Sequence, residues 1–174
     1  MSYAAGSTDR RPIIAVIGDR QCSDETARLA EAVGREIGGA GAVLVCGGLT
    51  GVMEAACRGA KQAGGLTIGI LPGEDPRDAN PYVDIPIVTG LSTARNALVV
   101  KSANAVIAVA GRFGTLTEIG YALNHGIPVV GLGTWRLAAE GDPGDPILRA
   151  ADPASAVQLA LIHRVAAPRS IPPR

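Results

Sequence analysis

The sequence predicts an α/β domain, a doubly wound parallel sheet with helices on both faces, and three observations carry that expectation. Apolar runs of strand length recur without polar alternation, the mark of strands buried on both faces. Segments of helical period lie between them, so the order reads β-α-β-α-β…α-β-α-β. Hydrophobic residues make up 47% of the chain and aromatic residues only 3%, so the core is aliphatic. Crossovers in such a sheet are right-handed, and the build is Rossmann-like.

The first strand is Ile13–Ile17. A helix follows over 24–38, where Leu29, Val33 and Ile37 repeat every four residues behind Ser23 as N-cap, with acids in the first turn. Strands at Val43–Cys46, Leu66–Leu71, Ile85–Val88, Ala105–Val109 and 128–132 alternate with helices at 53–63, 93–103 and 116–125. Asp152 and Pro153 form an N-cap and N1 pair for a last helix reaching about residue 165. Residues 72–86 carry Pro72, Pro76, Pro81 and Pro86 among the acids Glu74, Asp75, Asp78 and Asp84. That stretch is too long for an ordinary connection and reads as a lid or ligand-side loop. Residues 141–146 (GDPGDP) form a turn-rich linker. No internal repeat or boundary divides the chain, so 1–174 is one nucleotide-binding domain, with flexible ends at 1–11 and 168–174.

Lys+Arg and Asp+Glu stand at 16 each, so no whole-chain field attracts nucleic acid or an anionic membrane, and any anion site is local. The odd count and wide spacing of Cys22, Cys46 and Cys57 fit a reducing compartment rather than a disulfide framework. No apolar run approaches the roughly 20 residues of a membrane span. Residues 1–11 lack the apolar stretch of a signal peptide. The expectation is a cytoplasmic chain with no membrane partner. His125 and His163 are isolated, and no Cys/His spacing resembles a zinc site, so no metal is expected.

In an open parallel sheet, ligands bind beyond the carboxyl ends of the strands. Two loops there suit an anion: Gly47-Gly48-Leu49-Thr50-Gly51, and Ala110-Gly111-Arg112-Phe113-Gly114-Thr115, each leading into a helix. Glycines let backbone N–H groups approach an anion, and the helix start favours negative charge. Gly47, Gly48, Gly51, Gly111, Arg112, Gly114 and Thr115 are therefore the candidate binders of a phosphate-bearing small molecule. The plainer alternative is that the glycines only permit tight turns. Cys46 takes the first glycine place of a G-x-G-x-x-G spacing, and no G-x-x-x-x-G-K-[ST] loop is present. Thr115-Leu116-Thr117-Glu118 has the T-x-x-E form of a capping box, and Thr50 reads as the cap of its own helix. Cys46 is read as core. Arg95 alone reads as a solvated helix residue, and its neighbour Asn96 as a candidate ligand donor. Asp19 and Arg20, just past the first strand, are placed to touch a base or ribose.

Residues 111–118 (GRFGTLTE) resemble the P-G-G-x-G-T-x-x-E signature of the LONELY GUY family, the cytokinin riboside 5′-monophosphate phosphoribohydrolases. Residues 47–56 (GGLTGVMEAA) resemble the family's G-G-x-x-G-L-M-x-x-x-A segment, and Arg95 stands at the spacing of its catalytic arginine. The resemblance covers about residues 13–132 and looks closest to a bacterial branch of the superfamily, to which molybdenum cofactor carrier proteins are related. It implies hydrolysis of the N-glycosidic bond of a nucleoside 5′-monophosphate to base and ribose 5-phosphate, with no resident cofactor required. Gly111, Gly114 and Thr115 would hold the phosphate. Glu118 would stabilise the charge developing at the anomeric carbon or help activate water, and Arg95 would orient Glu118 or assist departure of the base.

The resemblance also implies a homodimer or larger homo-oligomer through the helices at 93–103 and 116–125. Its alternative is a non-catalytic carrier of a phosphorylated pterin, the molybdenum cofactor. A related fold occurs in DNA-processing proteins, but the neutral charge and lack of a basic stripe speak against nucleic acid. Two residues depart from the signature. Ala110 replaces its proline, expected to change little beyond backbone stiffness. Arg112 replaces its second glycine, where a side chain either crowds the backbone approach or grips the anion, the reading favoured here.

Overall fold

A computed structural model describes residues 10–138, 140–141 and 144–164. The chain runs β1 (Ile13–Ile17), α1 (Asp24–Gly39), β2 (Val43–Cys46), α2 (Val52–Gln62), β3 (Leu66–Leu71), β4 (Ile85–Val88), α3 (Asn96–Lys101), β5 (Ala105–Val109), α4 (Phe113–Asn124), β6 (Val129–Leu132), β7 (Leu148–Arg149) and α5 (Pro153–His163). The strands form one sheet in the order β4-β3-β2-β1-β5-β6-β7, and every neighbouring pair is parallel. The expected doubly wound, Rossmann-like architecture is thus the observed one.

Strand parity divides the interior into two layers, because alternate side chains leave opposite faces. Ile14, Val16, Leu44, Cys46, Ile107 and Val109 pack with α1, α2 and α5. Ala15, Ile17, Val45, Val106 and Ala108 pack instead with Val99 and Val100 of α3 and Ile119 and Ala122 of α4. β1 is the central strand, with Ile14 opposite Leu44 of β2 on one side and Ala105 of β5 on the other. From β1 the chain winds outward through β2, β3 and β4, then returns to start again at β5. The crevice between the ends of β1 and β5 is therefore the topological switch point, where open α/β sheets bind ligands.

Several expectations need correction. The helix expected over 93–103 is a 3-10 turn at Ser92–Arg95 followed by the short α3, entered through Ser92 in a left-handed conformation (φ 49°). α4 begins at Phe113, three residues before its apolar periodicity starts, because Arg112 is the extended N-cap whose carbonyl accepts the Leu116 N–H. β7 was not foreseen: a two-residue strand beside Val130 and Gly131 is too short to show as an apolar run. Residues 72–86, expected as a lid or ligand-side loop, do leave the carboxyl end of β3 and are tied down at one point. Asn80, buried within them, donates its side-chain amide to the carbonyls of Gly48 and Leu49, and its backbone N–H donates to Gly48 as well. Ile85–Val88, at the end of that stretch, joins the sheet as its edge strand.

Ser23 and Asp152 cap α1 and α5 as expected, the latter in a reciprocal box with Ser155. Of the ends expected to be flexible, only Arg10 and Arg11 fall within the described residues. Among those residues no helix is long and apolar enough to cross a membrane.

Candidate functional site

At the switch point lies a cavity of about 290 Å³, lined by Gly18, Asp19 and Arg20 beyond β1, Met53 of α2, Ser92, Thr93, Arg95 and Asn96, and Gly114, Thr115 and Glu118 of α4. Sequence elements more than ninety residues apart meet here because β1 and β5 are hydrogen-bonded neighbours.

The glycine-rich turn that leads into α4 carries the anion-binding potential. Its first helical amides, on Phe113, Gly114 and Thr115, find no protein acceptor among the described residues. Free N–H groups at a helix start, reinforced by the helix dipole, form an anion site. The Arg112 peptide is engaged at both ends: its N–H donates to Asp19 Oδ1 at 3.1 Å, and its carbonyl accepts from Trp135 Nε1 at 3.2 Å. Arg112 has φ −110°, a conformation any residue adopts, so its backbone does not require the signature's glycine. Gly111 does need to be glycine: at φ 109° a Cβ would lie 2.5 Å from Thr115. Ala110 changes more than stiffness, contrary to expectation. It adopts φ 50°, which a proline ring, fixed near −65°, cannot reach, so the turn differs in backbone path from one that begins with proline.

Thr115 and Glu118 do not form a capping box. The N-cap is Arg112, which makes no side-chain cap, so Thr115 sits within the first turn and Glu118 one turn further in. Glu118 is instead a buried cavity residue, 8% exposed, and its carboxylate accepts no hydrogen bond among the described residues. Burial pushes its carboxyl up to about 7, against the opposing pull of the Arg95 cation. Arg95 is not a solvated helix residue either. It is 5% exposed, bonds Asn96 Oδ1 through Nη1 at 2.7 Å, and leaves Nε buried without a partner. Its guanidinium lies against Gly47, where a Cβ would come within 2.5 Å of Nη2. Burial lowers the Arg95 pKa and nearby Glu118 raises it, but a guanidinium stays charged in proteins. A cation and a carboxyl group, both buried and neither fully satisfied, share one cavity.

The first glycine loop serves the site from behind. Gly47 and Gly48 are buried beneath Arg95 and beside Leu71, and the Gly48 N–H donates to Cys46 Sγ. Cys46 is core, as expected, with its sulfur 3.5 Å from that of Cys57. Gly51, rather than Thr50, is the N-cap of α2, and the Thr50 hydroxyl donates to the Arg20 carbonyl. Gly51 also lines a neighbouring cavity of about 360 Å³ with Arg20, Cys22 and Arg58. The structure thus gathers Arg95, Glu118, Gly114, Thr115, Asp19, Arg20 and Asn96 into one cavity. It sets Gly111 and the Arg112 backbone in the turn beside it, Gly47 against the Arg95 guanidinium, and Gly48 beside Leu71. Sequence reasoning missed Ser92, Thr93, Met53, Asn80 and Trp135. For Trp135 alone a signal existed: it follows β6 at the ligand side of the sheet.

Fold and site together define a Rossmann-like α/β protein of the LONELY GUY-like superfamily. Within it the chain belongs to the SLOG cluster4 family, whose model matches residues 11–157. A protein of Archaeoglobus fulgidus is 46% identical over 119 residues, 68% of this chain and 78% of that one. The molybdenum cofactor binding protein of the phototrophic bacterium Rippkaea orientalis is 38% identical with a TM-score of 0.82, over 89% of this chain and 98% of its own. The molybdenum cofactor carrier protein of Chlamydomonas reinhardtii is 38% identical with a TM-score of 0.78, over 88% and 98%.

Proposed function

We propose that this chain binds a phosphorylated small molecule carrying a heterocycle, a nucleoside 5′-monophosphate or a phosphorylated pterin, at the crevice between β1 and β5. One observation carries the reading: the buried, unpartnered Nε of Arg95 belongs to a side chain that lines the same cavity as the free helix-start residues Gly114 and Thr115. Burying a guanidinium donor without an acceptor is costly, and a ligand oxygen would relieve that cost. The phosphate sits at the start of α4, where the exposed Arg112 side chain is free to pair with it. Carriage of the molybdenum cofactor is the specific form that the likeness to the Rippkaea and Chlamydomonas proteins supports.

A second reading, hydrolysis of a nucleoside 5′-monophosphate at its N-glycosidic bond, is favoured by the placement of Glu118. An ionised carboxylate beside the anomeric carbon attracts the cation formed as the base departs, and the Arg95 cation favours that ionised form. At neutral pH, however, a carboxyl lifted to about 7 is charged in only part of the population. Binding is therefore the conclusion, and turnover its extension. The exposed apolar residues Phe113 and Leu98, beside a groove lined by Ala94, Ala97 and Tyr121, support a homodimer through α3 and α4. The free thiols fit a reducing cytoplasm.

The test is native mass spectrometry of gently purified protein, followed by incubation with AMP. A co-purified phosphorylated ligand without adenine release supports carriage. Release of adenine and ribose 5-phosphate supports hydrolysis. A protein that neither binds nor cleaves AMP sinks hydrolysis, and one that also arrives empty and fails to bind a phosphorylated pterin sinks carriage.

A further inference from the structure

Arg112 is the residue by which this chain departs most from the glycine-rich signature, and its peptide is held by side chains from two other strand ends. Asp19, one residue after Gly18 at the end of β1, accepts the Arg112 N–H on its carboxylate. Trp135, in the loop after β6, donates its indole N–H to the Arg112 carbonyl. Asp19 is itself fixed, because its own carbonyl accepts the N–H of Val52 at the start of α2 at 3.0 Å. The next residue is tied in the same way by Thr50. Asp19 therefore joins the starts of two helices, α2 through its backbone and α4 through its side chain, across a sequence separation of 93 residues.

We propose that Asp19 and Trp135 are positioning residues of the anion turn: they grip the Arg112 peptide from opposite ends and thereby hold the amides of Phe113, Gly114 and Thr115 in place for a ligand phosphate. The assignment rests on the binding reading above. α4 has no side-chain cap of its own, and the turn passes through Ala110 in the left-handed region. Without an external hold, a strained turn entering an uncapped helix frays, and amides that fray are a poor anion cradle. Asp19 is needed as a hydrogen-bond acceptor, and its charge is incidental. A negative charge so close to the phosphate is a cost to the ligand that the acceptor role outweighs.

The contrast between Asp19→Asn and Asp19→Ala tests this, because asparagine keeps the Oδ1 acceptor and drops the charge. Trp135→Phe supplies an independent arm by removing the indole donor while keeping an aromatic ring beside Phe113. Two readouts are taken on the full chain: amide hydrogen exchange across residues 110–118 without ligand, and calorimetric titration with AMP and with ribose 5-phosphate. Losing one hydrogen bond to the turn is expected to speed exchange there and weaken binding by about tenfold in Asp19→Ala. Trp135→Phe shifts both in the same direction. Asp19→Asn stays within about twofold of the parent in exchange and binds as tightly or more tightly.

If Asp19→Ala and Trp135→Phe both exchange like the parent, the clamp does not exist. If Asp19→Asn loses as much affinity as Asp19→Ala while its exchange is unchanged, Asp19 contacts the ligand directly and the positioning role is overturned. If the parent binds neither probe, the nucleotide form of the binding reading fails, yet the exchange arm still decides the clamp. Should Asp19→Ala not fold, the Trp135→Phe and Asp19→Asn arms carry the comparison.

Discussion

Arg95 and Glu118 line one cavity, each more than nine-tenths buried, and no hydrogen bond joins them. A buried charge pair of this kind is a poor source of stability, because desolvation outweighs a contact that is not made directly. On the proposed binding reading, the pair is a cost that a bound ligand would relieve.

That cost has a pH signature. The Glu118 carboxyl is raised from 4.5 to about 7, so the folded chain binds more protons than the unfolded one between those values, and stability falls as pH rises through that window. Replacing Glu118 with glutamine removes the charge and keeps the shape. Glu118→Gln is expected to be near neutral in stability at pH 5 and stabilising by up to ~3 kcal/mol at pH 8. Urea unfolding at the two values measures it, and equal effects at both would show that burial does not raise the group. Should AMP be hydrolysed, the same ionisation makes the rate climb through pH 7 and vanish in Glu118→Gln.

Restoring the signature proline at position 110 should damage this chain. Ala110 has φ 50°, and its N–H bonds the Leu132 carbonyl at 2.9 Å; proline can supply neither. Ala110→Pro is expected to cost roughly 3 kcal/mol. Ala110→Gly, free of the left-handed penalty, should gain up to about 1 kcal/mol. Paired denaturation curves decide, and a tolerated proline would mean that the turn takes another path.

Asn80 holds the first glycine loop by two carbonyls, and in Asn80→Ala both lose that side-chain donor in a buried setting. The expected loss is about 2 kcal/mol. Limited proteolysis should then cut within residues 72–84, where the parent resists. Unchanged stability would show that Asn80 does not anchor that segment.

Phe113 is 75% exposed, so Phe113→Ser has little folded-state packing to lose. If α3 and α4 form the homodimer face, sedimentation velocity should show a dimer for the parent and a shift towards monomer in Phe113→Ser. A monomeric parent removes the dimer proposal.

The sheet was legible because it is written in uninterrupted aliphatic runs. Five strands, from Ile13–Ile17 to Ala105–Val109, have the same bounds in sequence and structure. The start of α4 was not, since Phe113-Gly114-Thr115 shows no apolar period and the cap depends on the backbone of Arg112. Thr115 and Glu118 have the residue types of a capping box and none of its geometry. Arg95 and Glu118 were found through resemblance, while their burial, and the meeting of Asp19 with Arg112, depend on two strands becoming neighbours. No local pattern encodes that.

Trp135 is the only tryptophan in the chain, and its N–H ends on the peptide that leads into the anion turn. Its ring also lies 5.5 Å from that of Phe113, at the first residue of α4. The protein therefore carries its own optical probe at the place where ligand should arrive. Emission from a single indole will follow that peptide as it tightens or lets go, so candidate ligands can be screened on the unmodified chain without a label or a coupled reaction.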